Sequence, residues 1–175
     1  MIDLRVDSLD RDVLALLRAA GLRRVFAGVE TSNPEQLAAY NKRYTRAAER
    51  RDYIRSQLAM ARELGIDVVP GIITYHADTT RPELADALEL IDSCDIESAF
   101  FFLNRLIAYP GTPLYHHYRQ RGLLSVDWPM PRWEFTDPEI GEIERAMLAA
   151  EAEGRPFAEL RQMFASLIGV AAATA

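Results

Sequence analysis

Segments with the two-residue period of a β-strand alternate along this chain with segments that have the helical period. Residues 2–7 alternate apolar and charged side chains, which is typical of a strand with two different faces. Residues 24–30 and 66–75 have apolar centres, and the continuous apolarity of the latter indicates a strand that is buried on both faces. Residues 98–106 contain three consecutive phenylalanines and predict a fourth strand.

Helical patterns lie between these strands. A first helix begins at Ser8 or Asp10, a long one covers about 46–64, and Thr80 and Pro82 open the next. Strands that alternate with helices predict right-handed βαβ crossovers and a parallel α/β sheet. Four strands are too few to close an eight-stranded barrel, so a doubly wound sheet and part of a barrel remain as alternatives.

The carboxyl-terminal part of the chain is predicted to be helical. A segment that contains proline and tryptophan, at 127–135, leads to two helices near 138–153 and 157–168. The chain is therefore predicted to consist of a βα region over residues 1–126 and a helical extension over residues 127–175.

The composition excludes several classes of protein. With 175 residues, of which 49% are hydrophobic and 26% are charged, the chain has the size of about one domain and can bury a core. The net charge of −6 argues against a protein that coats nucleic acid, and no apolar stretch is long enough to span a membrane. Cys94 is the only cysteine, which excludes an intrachain disulfide, a four-cysteine zinc site and a complete iron–sulfur site. We therefore expect a reducing, cytoplasmic setting.

Polar residues follow the apolar centres of the predicted strands. Arg5 and Asp7 end the first strand, Glu30 ends the second, residues 75–78 follow the third and Asn104 ends the fourth. Parallel α/β folds bind ligands beyond the carboxyl ends of their strands, so this edge is a candidate site. The sequence has neither a P-loop nor a G-x-G-x-x-G motif, so it does not support a glycine-rich phosphate site.

Each candidate side chain also has a structural interpretation. Asp7 is predicted equally well as a helix cap and as a site residue. Glu30 lies on a strand that would be buried, and a buried carboxylate needs a partner, which favours a functional role. Lys42 lies in a polar loop, where a solvated lysine is the ordinary outcome. A hydrogen-bonded structural role is favoured over metal binding for His76, and Cys94 is interpreted as a small buried hydrophobe.

The segment Gly28-Val29-Glu30-Thr31-Ser32 resembles the fourth-strand region of the radical S-adenosylmethionine (SAM) superfamily. The closest resemblance is to the group that has an amino-terminal cobalamin-binding domain. Further segments resemble successive parts of that group in the same order, namely residues 5–9, 21–30, 41–42, 71–80, 109–115 and 133–138. This resemblance covers nearly the whole chain and implies the carboxyl-terminal half of a parallel βα barrel, of about four strands, with a helical tail.

The chain departs from that family in one defining feature. The family holds a 4Fe–4S cluster on a Cys-x3-Cys-x2-Cys loop after its first strand, and reductive cleavage of SAM at that cluster makes the 5′-deoxyadenosyl radical. This sequence begins at what resembles the third strand and has no such loop. Residues 75–77, Tyr-His-Ala, also replace the commoner Gly-x-Pro pattern after the fifth strand.

The resemblance implies roles for six residues. It assigns Glu30 to the ribose or amino group of SAM and Lys42 to the SAM carboxylate. Ile72 and Ile73 would flank the adenine. Arg5 and Asn104 would face the lumen of the barrel, near the substrate. No catalytic residue and no metal ligand is assigned within this chain.

The resemblance predicts the carboxyl-terminal portion of a radical SAM enzyme, which is active only with a cluster-bearing partner or within a longer enzyme. SAM binding would be weak or dependent on that partner, and the 4Fe–4S cluster and any cobalamin would come from the partner or the missing segment. The partner would be a cluster-bearing chain, or a second copy that associates through the open edge of the strand at residues 2–6. A non-catalytic binding or scaffold protein, and a truncated relic without function, remain as alternatives.

Overall fold

The computed structural model describes residues 1–31, 33–40, 50–126 and 131–170. In this part of the chain the strands are β1 Ile2–Arg5, β2 Arg24–Glu30, β3 Asp67–Ile72, β4 Leu124–Val126 and β5 Arg132–Trp133. The α-helices are α1 Arg11–Ala19, α2 Pro34–Ala39, α3 Arg50–Glu63, α4 Arg81–Ser93, α5 Pro113–Gln120, α6 Pro138–Ala152 and α7 Phe157–Ile168. Two 3-10 helices cover Val6–Ser8 and Ala99–Phe102.

The described chain divides into two compact units. The first, the sheet unit, consists of Met1–Ile72 and Asp86–Glu97. The second, the helical unit, consists of Ile73–Ala85 and Ser98–Ala175. These units group the residues that contact one another in space. The boundary between residues 126 and 127, which separates the predicted βα region from the predicted helical extension, stays a prediction.

The sheet unit is built on a three-stranded parallel sheet in the order β1-β2-β3. Val25, Ala27 and Val29 of β2 are fully buried on one face of the sheet. Helix α3 packs on the sheet and buries Ile54 and Leu58, which are four residues apart and so lie on one face of the helix. The predicted α/β class and parallel sheet are therefore confirmed.

A close contact between two strands depends on a residue without a side chain. A methyl group at Gly71 of β3 would lie 2.4 Å from Cζ of Phe26. The phenyl ring of β2 therefore occupies the space above Gly71, on the sheet face opposite Val25 and Ala27. Only glycine at position 71 leaves room for this ring.

The predicted fourth strand is wrong over most of its length. Residues 99–102 form a 3-10 helix, and the parallel pairing that remains is a single bridge between Tyr75 and Arg105. A 3-10 helix turns every three residues, so Phe101 and Phe102 are buried whereas Phe100 is half exposed. A half barrel of four strands is therefore not observed among the described residues.

The helical unit has an aromatic core beneath α6 and α7. The ring of Phe102 stacks on Phe157 at 5.5 Å and lies 5.2 Å from Phe164, between ring centroids. Strands β4 and β5 pair antiparallel, and the Trp133 indole donates its Nε1 hydrogen to the Leu106 carbonyl at 2.8 Å. The predicted carboxyl-terminal helices are thus present as α6 and α7, within one residue of their expected bounds.

The starts of four helices follow from capping chemistry that the sequence displays. The side chains of Asp10, Asn33, Thr112 and Asp137 each accept a backbone N–H at the start of a helix. Asp10 accepts from Val13 N at 3.0 Å, so it is Asp10, and not Asp7 or Ser8, that caps α1. Within the ranges described above, no helix combines the length and the apolarity that crossing a membrane requires.

Candidate functional site

The carboxyl ends of the three parallel strands bring several of the expected residues together. Arg5 of β1 lies opposite Gly28 of β2, and Glu30 of β2 lies opposite Ile72 of β3. A bulge between Gly28 and Glu30 shifts the register at this point. The structure therefore places Arg5, Glu30 and Ile72 at the carboxyl edge of the sheet unit, and their role as a site stays a prediction.

Glu30 has an unusual backbone conformation at this bulge. Its φ is +68°, in the left-handed region that side-chain-bearing residues seldom adopt. The Glu30 carboxylate lies over Gly28 of the same strand, where a methyl group would lie 3.0 Å from Glu30 Oε1. Backbone strain of this kind costs about 1–3 kcal/mol and concentrates at functional sites. The bulge directs a half-buried carboxylate to the carboxyl end of the sheet.

A buried arginine that the sequence analysis did not single out stabilises this bulge. Arg50 is 3% exposed, and it donates from Nε to the Thr31 carbonyl and from Nη2 to the Val29 carbonyl, both at 2.9 Å. These two carbonyls flank Glu30. Arg50 stands four residues before Ile54, on the buried face of α3. This helical spacing is the feature of the sequence from which the burial of Arg50 could have been predicted.

Arg5 and Asp7 form a bidentate ion pair at the end of β1. Arg5 donates from Nε to Asp7 Oδ1 at 2.9 Å and from Nη2 to Oδ2 at 2.7 Å. The hydrogen bonds from Arg5, and more weakly the charge of Arg50, hold the pKa of Asp7 below its usual value, although partial burial opposes them. Asp7 therefore orients Arg5 at the strand end and does not cap a helix.

The remaining predicted residues lie in different environments. Ile72 is fully buried at the end of β3, and Ile73, which is half buried, is the first residue of the helical unit. Asn104 also belongs to the helical unit, where its carbonyl accepts hydrogen bonds from the backbone N–H groups of Thr74 and Tyr75 at 3.1 and 3.0 Å. Lys42 lies outside the described residues.

The chain lacks the ligands for an iron–sulfur cluster. Cys94, the only cysteine in the sequence, is buried just after α4, and burial raises the pKa of its thiol. A cluster requires several thiolates, and burial disfavours the thiolate form of this one. His76 lies 3.3 Å from Glu83, from Nε2 to Oε2, at the start of α4. This contact agrees with a structural role for His76.

Comparison with curated proteins finds two methyl-transferring enzymes among the relatives. No protein-family model matches the chain. The bacteriochlorophyllide d C-8(2)-methyltransferase of Chlorobaculum tepidum is 29% identical over 110 residues, which are 62% of this chain and 23% of that protein. The hopanoid C-2 methylase of Rhodopseudomonas palustris is 32% identical over 117 residues, which are 66% of this chain and 21% of that protein. The chain thus spans between a fifth and a quarter of these relatives.

The fold has a counterpart among solved structures. The cobalamin-dependent S-adenosylmethionine radical enzyme OxsB, with aqua-cobalamin bound, matches with a TM-score of 0.61 at 17% identity, over 83% of this chain and 28% of that chain. The same enzyme with aqua-cobalamin and S-adenosylmethionine bound has a TM-score of 0.61 at 16% identity. The family resemblance predicted from the sequence is therefore confirmed: the chain is similar over part of its length to two methyl-transferring enzymes, and it has the fold of part of a cobalamin-dependent S-adenosylmethionine radical enzyme.

Proposed function

We propose that this chain forms the carboxyl-terminal portion of a cobalamin-dependent radical SAM enzyme and contributes half of its SAM site. In this proposal the carboxylate of Glu30 accepts hydrogen bonds from the ribose or the amino group of SAM. Lys42 pairs with the SAM carboxylate, and Ile72 and Ile73 flank the adenine. Arg5 and Asn104 face the substrate. The cluster and the cobalamin come from another segment or another chain.

One observation carries this proposal, which is the strained conformation of Glu30 at the carboxyl end of the sheet. A residue with a φ of +68° is retained at a cost in stability, and here two hydrogen bonds from Arg50 hold the bulge on either side of it. The same position is the one that the family resemblance assigns to SAM. The partial-length similarity to two methyl-transferring enzymes agrees with a portion of a longer catalyst.

SAM binding to the chain tests the half-site directly. We expect weak binding, with a dissociation constant of about 1 mM, or roughly −4 kcal/mol, because the cluster that anchors the amino and carboxylate groups is not part of this chain. Isothermal titration calorimetry or ligand-observed NMR measures it. The substitution Glu30→Gln keeps the size of the side chain and removes its charge, and it should weaken binding about fivefold or more.

The controls separate the site from the rest of the surface. Glu35→Gln changes an exposed carboxylate in the first turn of α2 and should leave SAM binding unchanged. Lys42→Ala should weaken binding as Glu30→Gln does. If SAM does not bind, or binds equally well to the Glu30 and Glu35 variants, the site assignment is wrong, and the chain is better described as a scaffold.

The dependence on a cluster-bearing segment has its own test. After anaerobic incubation with iron and sulfide, the chain alone should hold no stable 4Fe–4S cluster, because one thiol falls short of the ligand set. It should also release no 5′-deoxyadenosine from SAM above a protein-free blank. Turnover by the chain alone would contradict the proposal.

A further inference from the structure

The helical unit contains a pocket that the SAM proposal does not use. Its volume is about 370 Å³, which is within the range of pockets for small ligands. Its lining combines charged and apolar residues from the segment around Arg105 and from the start of α6, namely Arg105, Glu134, Phe135, Pro138, Gly141, Glu144 and Arg145.

The guanidinium group of Arg105 is fixed in one orientation at this pocket. It lies 4.0 Å from the ring centroid of Trp133 and 4.9 Å from that of Phe135, which are cation–π distances. Its Nη2 donates to the Trp133 carbonyl at 3.2 Å, and its Nε lies 2.9 Å from Glu144 Oε1. The guanidinium group is therefore already engaged by the Trp133 carbonyl and by the charge of Glu144, and it is not available for bidentate binding of a second carboxylate or a phosphate.

Glu144 is a buried carboxylate with unused capacity to accept hydrogen bonds. It is 7% exposed, and its contact with Arg105 Nε is close in distance but not aligned as a hydrogen bond. An ionised carboxylate has about four acceptor positions. Burial raises the pKa of Glu144 and the charge of Glu134 adds to this effect, whereas the charges of Arg105 and Arg145 oppose it. The pocket therefore favours a hydrogen-bond donor that carries positive charge.

Tyr75 supplies a second polar group without a partner. Its side chain is fully buried, and among the described residues its hydroxyl has no hydrogen-bond partner. Its ring packs edge-on against Phe135, which lines the pocket, at 5.8 Å between centroids. The hydroxyl lies behind the lining residues, next to the pocket and not within it.

We propose that this pocket binds a small molecule through a primary ammonium group, which donates hydrogen bonds to Glu144. The charges favour a cation over an anion. Glu134 and Glu144 face Arg105 in the pocket, and the fourth charged residue, Arg145, already pairs with Glu142 on the exposed side of α6. A ligand cation therefore balances the second carboxylate, and the Phe135 ring borders the space for its apolar portion.

An NMR titration with n-butylammonium as the probe tests this site. The indole N–H of Trp133 reports on it, because Arg105 rests on that ring and donates to the Trp133 carbonyl. We expect n-butylammonium to shift this signal in a saturable way, and the uncharged isostere n-butanol to bind at least about tenfold more weakly, a difference of 1.4 kcal/mol. Equal binding of the two probes, or no shift with n-butylammonium, would overturn the proposal.

Two variants identify the groups that bind the probe. Glu144→Gln keeps the volume and an oxygen beside Arg105, so the unit should fold, and n-butylammonium binding should fall about tenfold. The matched control is Glu151→Gln, which changes an exposed carboxylate on the same helix and should bind the probe as the parent does. Tyr75→Phe removes only a hydroxyl that lies behind the lining residues, and it should leave binding of the probe unchanged. If Glu144→Gln binds the probe as the parent does, the assignment is wrong.

Discussion

The sequence indicates where Glu30 lies in the fold, and the structure shows its backbone conformation. The sequence indicated a carboxylate at the end of a buried strand, on the face shared by Phe26 and Gly28. The structure adds the left-handed φ of +68°, the bulge, and the close approach of Oε1 to Gly28. No periodicity encodes a positive φ at a glutamate, since the residue type itself disfavours it.

This strain leads to a prediction about stability that is independent of any ligand. Glu30→Gly and Glu30→Ala both remove the carboxylate, but only the first also removes the Cβ that makes a φ of +68° unfavourable. We expect the glycine variant to have a free energy of unfolding about 1 kcal/mol higher than the alanine variant. Urea-induced unfolding measures the difference. Equal stabilities, or a more stable alanine variant, would show that position 30 is not strained.

A second prediction at the residue scale concerns the pH dependence of stability in the helical unit. Asp78 accepts hydrogen bonds from Arg121 Nη1 and Nη2 at 2.5 and 2.7 Å and from the Thr136 hydroxyl at 3.2 Å. The bonds from Arg121 lower the pKa of Asp78 below its ordinary value of 3.8. The pair therefore stabilises the folded state fully above the unfolded-state pKa, and this contribution is lost as the pH falls through the lower folded-state pKa.

The variant Asp78→Asn should show a smaller loss of stability on acidification below about pH 4 than the parent chain. Both partners are partly exposed, so solvent screening limits the difference to less than about 1 kcal/mol. Chemical unfolding at a series of pH values measures it. Glu151→Gln serves as the control, and identical pH profiles for the parent and Asp78→Asn would contradict the prediction.

At the scale of elements, the link between α3 and the end of β2 depends on one side chain. Arg50 is the first described residue of α3, and its two hydrogen bonds reach the carbonyls of Val29 and Thr31. The strand register shifts between Gly28 and Glu30, next to these carbonyls, and a buried carbonyl without a donor is costly. A helix therefore supplies donors at the point where the strand pairing is irregular.

We expect Arg50→Ala to lower the free energy of unfolding by about 2–4 kcal/mol, since it removes the side-chain donors from two buried carbonyls and leaves the Val29 carbonyl with the Thr31 N–H, at 3.0 Å. Arg50→Lys should recover only part of this loss, because a single ammonium does not have the planar fork that spans two carbonyls. The neighbouring Arg51 pairs with Asp86 and Glu89 at the surface, and Arg51→Ala should cost less than about 1 kcal/mol. Comparable losses for the Arg50 and Arg51 variants would refute this account of the bulge.

At the scale of the whole molecule, β1 is an edge strand of the sheet unit. Among the strands in the described ranges it pairs with β2 alone. Helix α1, which follows it, exposes Val13 by 51% and Leu16 by 73%, three residues apart and so on neighbouring positions of one helix face. An unpaired strand edge beside exposed apolar side chains favours association.

We therefore expect the 175-residue chain to self-associate, or to need a partner to stay in solution. The double substitution of Val13 and Leu16 by lysine should shift the equilibrium toward the monomer, because it places two charges on the apolar face. Ala15→Lys adds a charge elsewhere on α1 and is the control. Sedimentation velocity over a range of concentrations distinguishes these cases. A monomeric parent chain at all concentrations would count against the prediction.

The sequence by itself determined the alternation of strands and helices, three of the strands, and residues at the starts of α1 and α4. These features depend on hydrophobic periodicity and on local side-chain-to-backbone bonds, which act within a few residues. The family resemblance also followed from short segments in a fixed order. The candidate positions Arg5, Glu30 and Ile72 were found because the carboxyl ends of parallel strands meet at one edge.

Only the tertiary structure decided where nonlocal contacts override local preference. Three consecutive phenylalanines have high strand propensity, yet residues 99–102 form a 3-10 helix, whose turn buries Phe101 and Phe102 against the helical unit. The burial of Arg50 beneath the bulge, and the proximity of Tyr75, Arg105 and Glu144 in the helical unit, join residues that are 19 to 69 positions apart in the chain. Such contacts depend on which faces of separate elements meet, and a periodicity read along one element does not contain that information.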